Sequence, residues 1–377
     1  INNSVVTDNV AKAASCIKVQ NSSQAIIEET TFSGNQNKDF NNFKEGAIAC
    51  IHESKLFIYN CKFDKNFGTN IAVISITNGS YSYIKSSHFK TNIGVVAIIG
   101  VYDKSSIEIQ LSSFTNNNGS LMSMIRSRAN VSQLTLTNNV DALFQVRATS
   151  SLSIISSVIK NNPASDTDGA IFCYDKSEIS ITNSIISQNQ INKYYISGNN
   201  FSKIYIRNCE FFQNSASATI NIDGFSYLFI SNTNIKNHQH CVVKLHKESQ
   251  LYMENTYCTQ NNEVICAHNY SKVDIYNSQF DSGSNTAIQT ERSTINLNKC
   301  EFSNNSASGP GGSIAAQGST VYIQNSIFND NRSPNSGGAI IAINIHLYTG
   351  LYVFNSTFAR NSAQFFGGAI NAANIDL

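Results

Sequence analysis

Ser319-Thr320-Val321-Tyr322-Ile323-Gln324-Asn325-Ser326-Ile327-Phe328-Asn329-Asp330-Asn331 carries a grammar that recurs along nearly the whole chain. A Ser opens it. Two apolar residues follow, each after one gap, as Val321 and Ile323. An apolar anchor stands at Phe328, and an Asn three residues later. Counting the anchor as zero, its occupants are Val6, Phe32, Phe63, Phe89, Phe114, Leu136, Ile159, Ile186, Phe211, Ile235, Cys258, Phe280, Phe302, Phe328 and Phe358. Asn occupies the position three after the anchor in thirteen of these fifteen units, the exceptions being His238 and Gly283. The 51 Asn of 377 residues would not fill that column by chance. Such self-similarity is the mark of a repeat architecture.

The apolar pair seven and five residues before the anchor recurs as Leu56 and Ile58, Ile107 and Ile109, Ile204 and Ile206, and Leu251 and Met253. This is period-two alternation, so each unit carries a short strand with one buried face. Anchors are 22 to 31 residues apart, and the length varies only outside the thirteen-residue frame. That is expected of a stacked coil, whose fixed walls are set by neighbours while one corner is free to bulge. The expectation is an all-β parallel coil of about fifteen turns with three short strands per turn. The first strand carries the apolar pair and the second the anchor. The third carries small residues such as Gly46-Ala47-Ile48 and Gly337-Gly338-Ala339-Ile340. One domain is read over residues 1–377. The columns of Asn and Phe are read as ladders, with amides bonding up and down the coil and rings filling the interior.

The Phe328 to Asn331 segment with Gly337 to Ile340, and Phe358 to Asn361 with Gly367 to Ile370, look like the repeat of the polymorphic outer-membrane protein family. More broadly the chain resembles the right-handed parallel β-helix, or pectin-lyase-like, superfamily. The resemblance implies a right-handed coil and a passenger region at a cell surface, often adhesive. The fold itself also hosts lyases, hydrolases and fibres.

Composition narrows the partners. Lys and Arg number 26 against 25 Asp and Glu, so no basic field draws the chain to nucleic acid. No apolar run of about 18 residues exists, so this segment offers no membrane-spanning helix. Repeat material runs to both ends of the chain, without a polar cap. This raises the expectation of a piece of a larger protein, or of self-association end to end through open strand edges.

Two constellations carry candidate chemistry. Asp166, Asp168 and Asp175 lie near Arg147 in the repeat, with Asp103, Arg126 and Arg128 on earlier turns. Paired carboxylates act as acid and base on a glycosidic bond, so Asp168, Asp175 and Arg147 are the candidate catalytic set; a solvated corner of mixed charge is the competing reading. The resemblance to pectate lyases would require clustered Asp for Ca²⁺ beside an Arg base. The resemblance to polygalacturonases would require Gly-His-Gly and Arg-x-Lys, and neither is present. The second constellation is His238, His240, Cys241, His246, Cys258, Cys266 and His268. His246 and His268 share a column and are the alternative metal ligands; the reading preferred for this stretch is a disulfide or a few exposed His, with no metal. No cofactor is expected.

Among the nine Cys, Cys16 and Cys50 fall on adjacent turns and form the candidate disulfide. Sequons occur at Asn2, Asn21, Asn78, Asn118, Asn130, Asn200, Asn269, Asn304, Asn331 and Asn355. Asn331 and Asn355 stand in ladder columns and are expected to remain bare. Asn21, Asn78, Asn118, Asn130, Asn200, Asn269 and Asn304 are the candidate glycosylation sites. The leading expectation is a non-catalytic extracellular β-helix, adhesive or filament-forming. The alternative is a polysaccharide-active enzyme or a glycan-binding β-helix, with glycans or surface partners in either case.

Overall fold

The computed structural model describes residues 1–38, 45–164, 169–344 and 350–375. Among them every regular element is a strand, and the pairings are parallel. The chain is a right-handed parallel solenoid of about 13 turns. Among the described residues the anchor sheet has fifteen strands and the apolar-pair sheet fourteen, because the first anchor, Val6, precedes any apolar-pair strand.

Two compact units divide the chain, Ile1–Asn192 and Lys193–Leu377, and each is built alike. In the first unit, strands such as Lys55–Tyr59, Tyr81–Lys85 and Ser106–Gln110 form the sheet of the apolar pairs. Strands such as Lys62–Asp64, His88–Lys90 and Ser113–Thr115 form the anchor sheet. The third sheet contains Ile48–Cys50, Ile71–Ile76 and Ile93–Tyr102. In the second unit the apolar-pair sheet includes Lys203–Arg207, Tyr227–Ser231, Gln250–Glu254 and Lys272–Tyr276. Its anchor sheet includes Gln279–Asp281, Glu301–Ser303, Ile327–Asn329 and Thr357–Ala359.

The register matches the repeat. Phe32 pairs with Phe63, Phe63 with Phe89, and Phe89 with Phe114. Their rings stack with centroids 5.1, 4.7 and 4.5 Å apart. The second unit repeats this with Phe280, Phe302, Phe328 and Phe358 at 4.6, 4.8 and 4.7 Å. Offset stacks of this kind add about 0.5–1.5 kcal/mol per pair beyond area burial.

The Asn column after the anchor is a buried ladder. Asn66 Nδ2 donates to Asn92 Oδ1 at 3.0 Å, Asn92 Nδ2 to Asn117 Oδ1 at 3.0 Å, and Asn117 Nδ2 to Asn139 Oδ1 at 2.9 Å. Each amide also donates to the carbonyl of an anchor, as Asn92 Nδ2 does to Phe63 O at 2.9 Å. The backbone just before each buried Asn is left-handed, as at Lys65 and Thr91, which turns the amide inward. The Ser column does equivalent work: Ser54 N donates to Ser80 Oγ and Ser80 N to Ser105 Oγ, both at 3.2 Å. Buried corner backbone groups thereby find partners that water would otherwise supply.

The Asn column before the anchor differs. Asn60, Asn183, Asn208, Asn255, Asn277 and Asn325 have φ between 46° and 53°, a conformation Asn tolerates better than most residues. There the ladder is on the surface: Asn277 Nδ2 donates to Asn255 Oδ1 and Asn355 Nδ2 to Asn325 Oδ1, both at 2.7 Å. The Gly-Gly stretches precede the third strand rather than forming it, since that strand begins at Ile314, Ile340 and Ile370. They are Gly because the turns approach closely. A Cβ at Gly312 would run into the carbonyl oxygen of Gly338, and one at Gly338 into that of Gly368.

The disulfide expectation is corrected. Cys16 and Cys50 are both free. The Cys16 thiol instead lies 3.7 Å from Ser15 Oγ, and the Cys50 thiol donates to Tyr81 O at 3.9 Å. The disulfide joins Cys241 to Cys266, with Cα atoms 6.4 Å apart. Among the described residues no helix is long and apolar enough to cross a membrane.

Candidate functional site

Asp166 and Asp168 lie outside the described residues. Asp175 sits exposed at a left-handed corner with φ 56°, its carbonyl accepting from Thr149 N, and Arg147 is exposed at the end of Phe144–Arg147. Asp103 is paired with Arg126. His246 and His268 do stack, with centroids 5.2 Å apart. Burial holds both imidazoles below their ordinary range, and each feels further positive charge, His246 from His268 and His268 from Lys244. His268 Nδ1 lies 3.7 Å from Glu291 Oε2. Among the described residues, the donors that converge within 4.8 Å of one another are instead Cys241, Glu263 and Cys266.

The surface feature that stands out lies on the outward face of the apolar-pair sheet. Alternation sends Ile204, Ile206, Leu228, Ile230, Leu251 and Met253 inward. The residues between and beside them point out, and in the second unit many are aromatic. Tyr205 pairs with Phe229 in register, and Phe229 with Tyr252. Phe229 and Tyr252 stack at 5.5 Å with planes 2° apart, and Tyr227 meets Tyr205 edge-on at 6.1 Å. The Arg207 guanidinium lies 5.0 Å from the Tyr205 ring centre and 4.9 Å from that of Phe229. Cation–π contacts of this kind hold rings and cation in one arrangement at about 0.5–1 kcal/mol each on a surface.

Polar groups border the rings. Tyr252 Oη donates to Glu254 Oε2 at 3.3 Å, and Lys272 Nζ lies 2.8 Å from Asp274 Oδ2. Asn296 Nδ2 donates to the other Asp274 oxygen at 2.5 Å. The Tyr252 phenol is held above its ordinary range, first by burial and then by the Glu254 carboxylate beside it. Tyr276 extends the face, with Lys299 Nζ 5.3 Å from its ring centre. Lys299 also lines a groove of about 470 Å³ at the surface Asn ladder, together with Asn255, Tyr257, Asn277, Gln279 and Glu301. Aromatic bodies with wet polar tips, next to a groove rich in amides, suit a ligand that is apolar on one side and hydroxylated on the other.

The first unit carries a smaller version. Phe57 meets Tyr81 edge-on at 6.2 Å, Tyr59 lies 5.8 Å from Tyr83, and Tyr83 Oη donates to Gln110 Oε1 at 3.0 Å. The outward aromatics escaped the sequence reading because it followed the buried columns. The signal was present in the gap between the paired apolar residues, six before the anchor: Phe57, Tyr83, Tyr205, Phe229, Tyr252, Tyr322 and Tyr352.

Comparison with known proteins agrees with the architecture. A family model described as "Right handed beta helix region" matches residues 72–219 and 195–374. No curated protein sequence matches this chain. Among solved structures, a point-substituted form of the periplasmic alginate epimerase AlgG is similar at 10% identity and a TM-score of 0.51, covering 93% of this chain and 77% of that one. The unsubstituted epimerase gives 10% identity and a TM-score of 0.49 over 93% and 77%. With its inward columns in register and most of its length matched by that model, this chain belongs to the right-handed β-helix family.

Proposed function

We propose that this protein binds polysaccharide along the outward face of its apolar-pair sheet, centred on Tyr205, Arg207, Tyr227, Phe229 and Tyr252. The observation that carries the reading is the continuity of aromatic side chains over successive strands, bordered by Glu254, Asp274 and the Asn-lined groove at Lys299. Strands stack about 4.8 Å apart, so the face presents a repeating pattern to a repeating ligand. A periplasmic alginate epimerase carries a similar fold, which makes a polysaccharide a natural ligand class for a coil of this kind. Single-stranded nucleic acid also stacks on aromatic platforms, but it needs a positive groove. A formal net charge of +1 does not supply one.

The role is one of binding at a surface or in an exported compartment. The disulfide between Cys241 and Cys266 fits an oxidising location. Native affinity electrophoresis through gels cast with alginate, pectate, xylan or β-glucan tests the reading. Retardation in at least one gel, lost in Tyr252→Ala and Phe229→Ala, is the expected outcome. Unchanged mobility in all four, or retardation indifferent to both substitutions, overturns it.

A further inference from the structure

We propose that Cys241, Cys266 and Glu263 form a zinc site when the protein is reduced, the disulfide being the oxidised and metal-free state of the same cluster. The strands Cys241–Leu245 and Glu263–His268 run side by side, with Cys241 opposite Glu263 and Lys244 opposite Cys266. This places both sulfurs and a carboxylate on one patch, their donor atoms all within 4.8 Å of one another. Cys266 Sγ lies 3.3 Å from Glu263 Oε2. The other carboxylate oxygen, Oε1, accepts from Asn285 Nδ2 at 2.9 Å. Asn285 therefore orients the carboxylate with one oxygen turned to the sulfurs, as outer groups do around metal ligands.

The donor chemistry selects the ion. Two thiolates and one carboxylate favour zinc over calcium or magnesium, which take oxygen ligands. Zinc–sulfur bonds of about 2.3 Å in a tetrahedron put two sulfurs about 3.8 Å apart. A Cα separation of 6.4 Å accommodates this once the S–S bond opens. Three protein ligands leave the fourth position to water, as in open zinc sites. The seven other cysteines do not compete: six are buried, and the seventh, Cys16, lies in the first unit.

The redox step balances with a phosphine reductant. The S–S bond takes up two electrons and two protons, the phosphine becomes its oxide with oxygen from water, and zinc then displaces the two thiol protons. Full-length protein, reduced with a phosphine and desalted without air, is titrated with Co²⁺ and then Zn²⁺. One equivalent of cobalt should give sulfur-to-metal charge-transfer bands and the strong visible bands of tetrahedral cobalt, bleached by zinc. Glu263→Gln, which keeps both thiols, should weaken binding at least ten-fold. Cys266→Ala should abolish the charge-transfer bands, and the oxidised protein should bind none. His246→Ala should bind as the parent does. Zinc should raise the melting temperature of the reduced parent alone. No uptake by reduced protein of native circular dichroism, or equal uptake by the oxidised protein or Cys266→Ala, overturns the proposal.

Discussion

Phe89 lies on Phe114 with ring centroids 4.5 Å apart and planes 5° apart, though 25 residues of chain separate them. Both rings are buried and each closes one turn of the coil. Removing Phe89 leaves Phe63 and Phe114 facing a void. Phe89→Ala should cost about 3–5 kcal/mol, and Phe89→Leu much less, because Leu136 already fills the same column. Denaturant midpoints with unchanged slopes check this.

The two Asn columns should respond differently. Asn92 donates to Phe63 O and Asn117 Oδ1, and its own Oδ1 accepts from the backbone and side chain of Asn66. Asn92→Ala strands buried donors and acceptors and should cost about 3 kcal/mol or more. Asn355 is exposed, with one amide bond and a φ of 45°. Asn355→Ala should cost about 1 kcal/mol, mostly from the left-handed backbone. A similar loss in both would refute the division into buried and surface ladders.

His238 stands where the repeat calls for Asn. It is buried, its Nδ1 shares a hydrogen bond with Thr219 Oγ1 at 2.8 Å, and burial pushes its pKa down from 6.5 to about 4. The unfolded chain takes up the proton first, so stability is present above about pH 6.5 and is lost as the pH falls towards 4. The loss amounts to about 3 kcal/mol at most. His238→Asn should restore the column and flatten the stability profile between pH 4 and 6.5. A parent profile that is already flat there would refute the assignment.

Substitution on the aromatic face should separate binding from folding. Tyr252→Ala removes the partner of Phe229 and should weaken polysaccharide binding about ten-fold, the equivalent of about 1.4 kcal/mol. Its solvent-facing position predicts a small change in melting temperature. Arg207→Ala should weaken binding as well, since the guanidinium fixes Tyr205 and Phe229.

The sequons divide by exposure. Asn78, Asn200 and Asn269 occupy exposed left-handed corners, whereas Asn331 is buried and bonded to Asn305 and Asn361. Glycopeptide mapping of protein made in a glycosylating host should find sugar at the first three and none at Asn331. Asn355, expected bare as a ladder residue, is exposed, so the ladder argument does not protect it.

Much of the fold was legible because stacked turns put like residues over like. Fifteen anchors predicted the Phe stacks, and thirteen Asn predicted the amide ladder. The candidate site was far less legible. Its residues fill the gaps of the repeat, where nothing inside the coil constrains identity, so Tyr205 and Glu108 are equally compatible with the pattern. The cysteines show the same limit. Cys16 and Cys50 are out of register on neighbouring turns and stay free, whereas Cys241 and Cys266, also out of register on neighbouring turns, are bonded, so position in the repeat does not select the pair.

The sequence by itself determined the winding and the inward columns, because a one-residue slip would turn every apolar side chain of a strand to solvent. Only the tertiary structure decided which outward side chains meet and which thiols join. It also decided which Asn column is dry. Those outcomes depend on lateral neighbours one turn away, at separations set by corners of variable length rather than by the period.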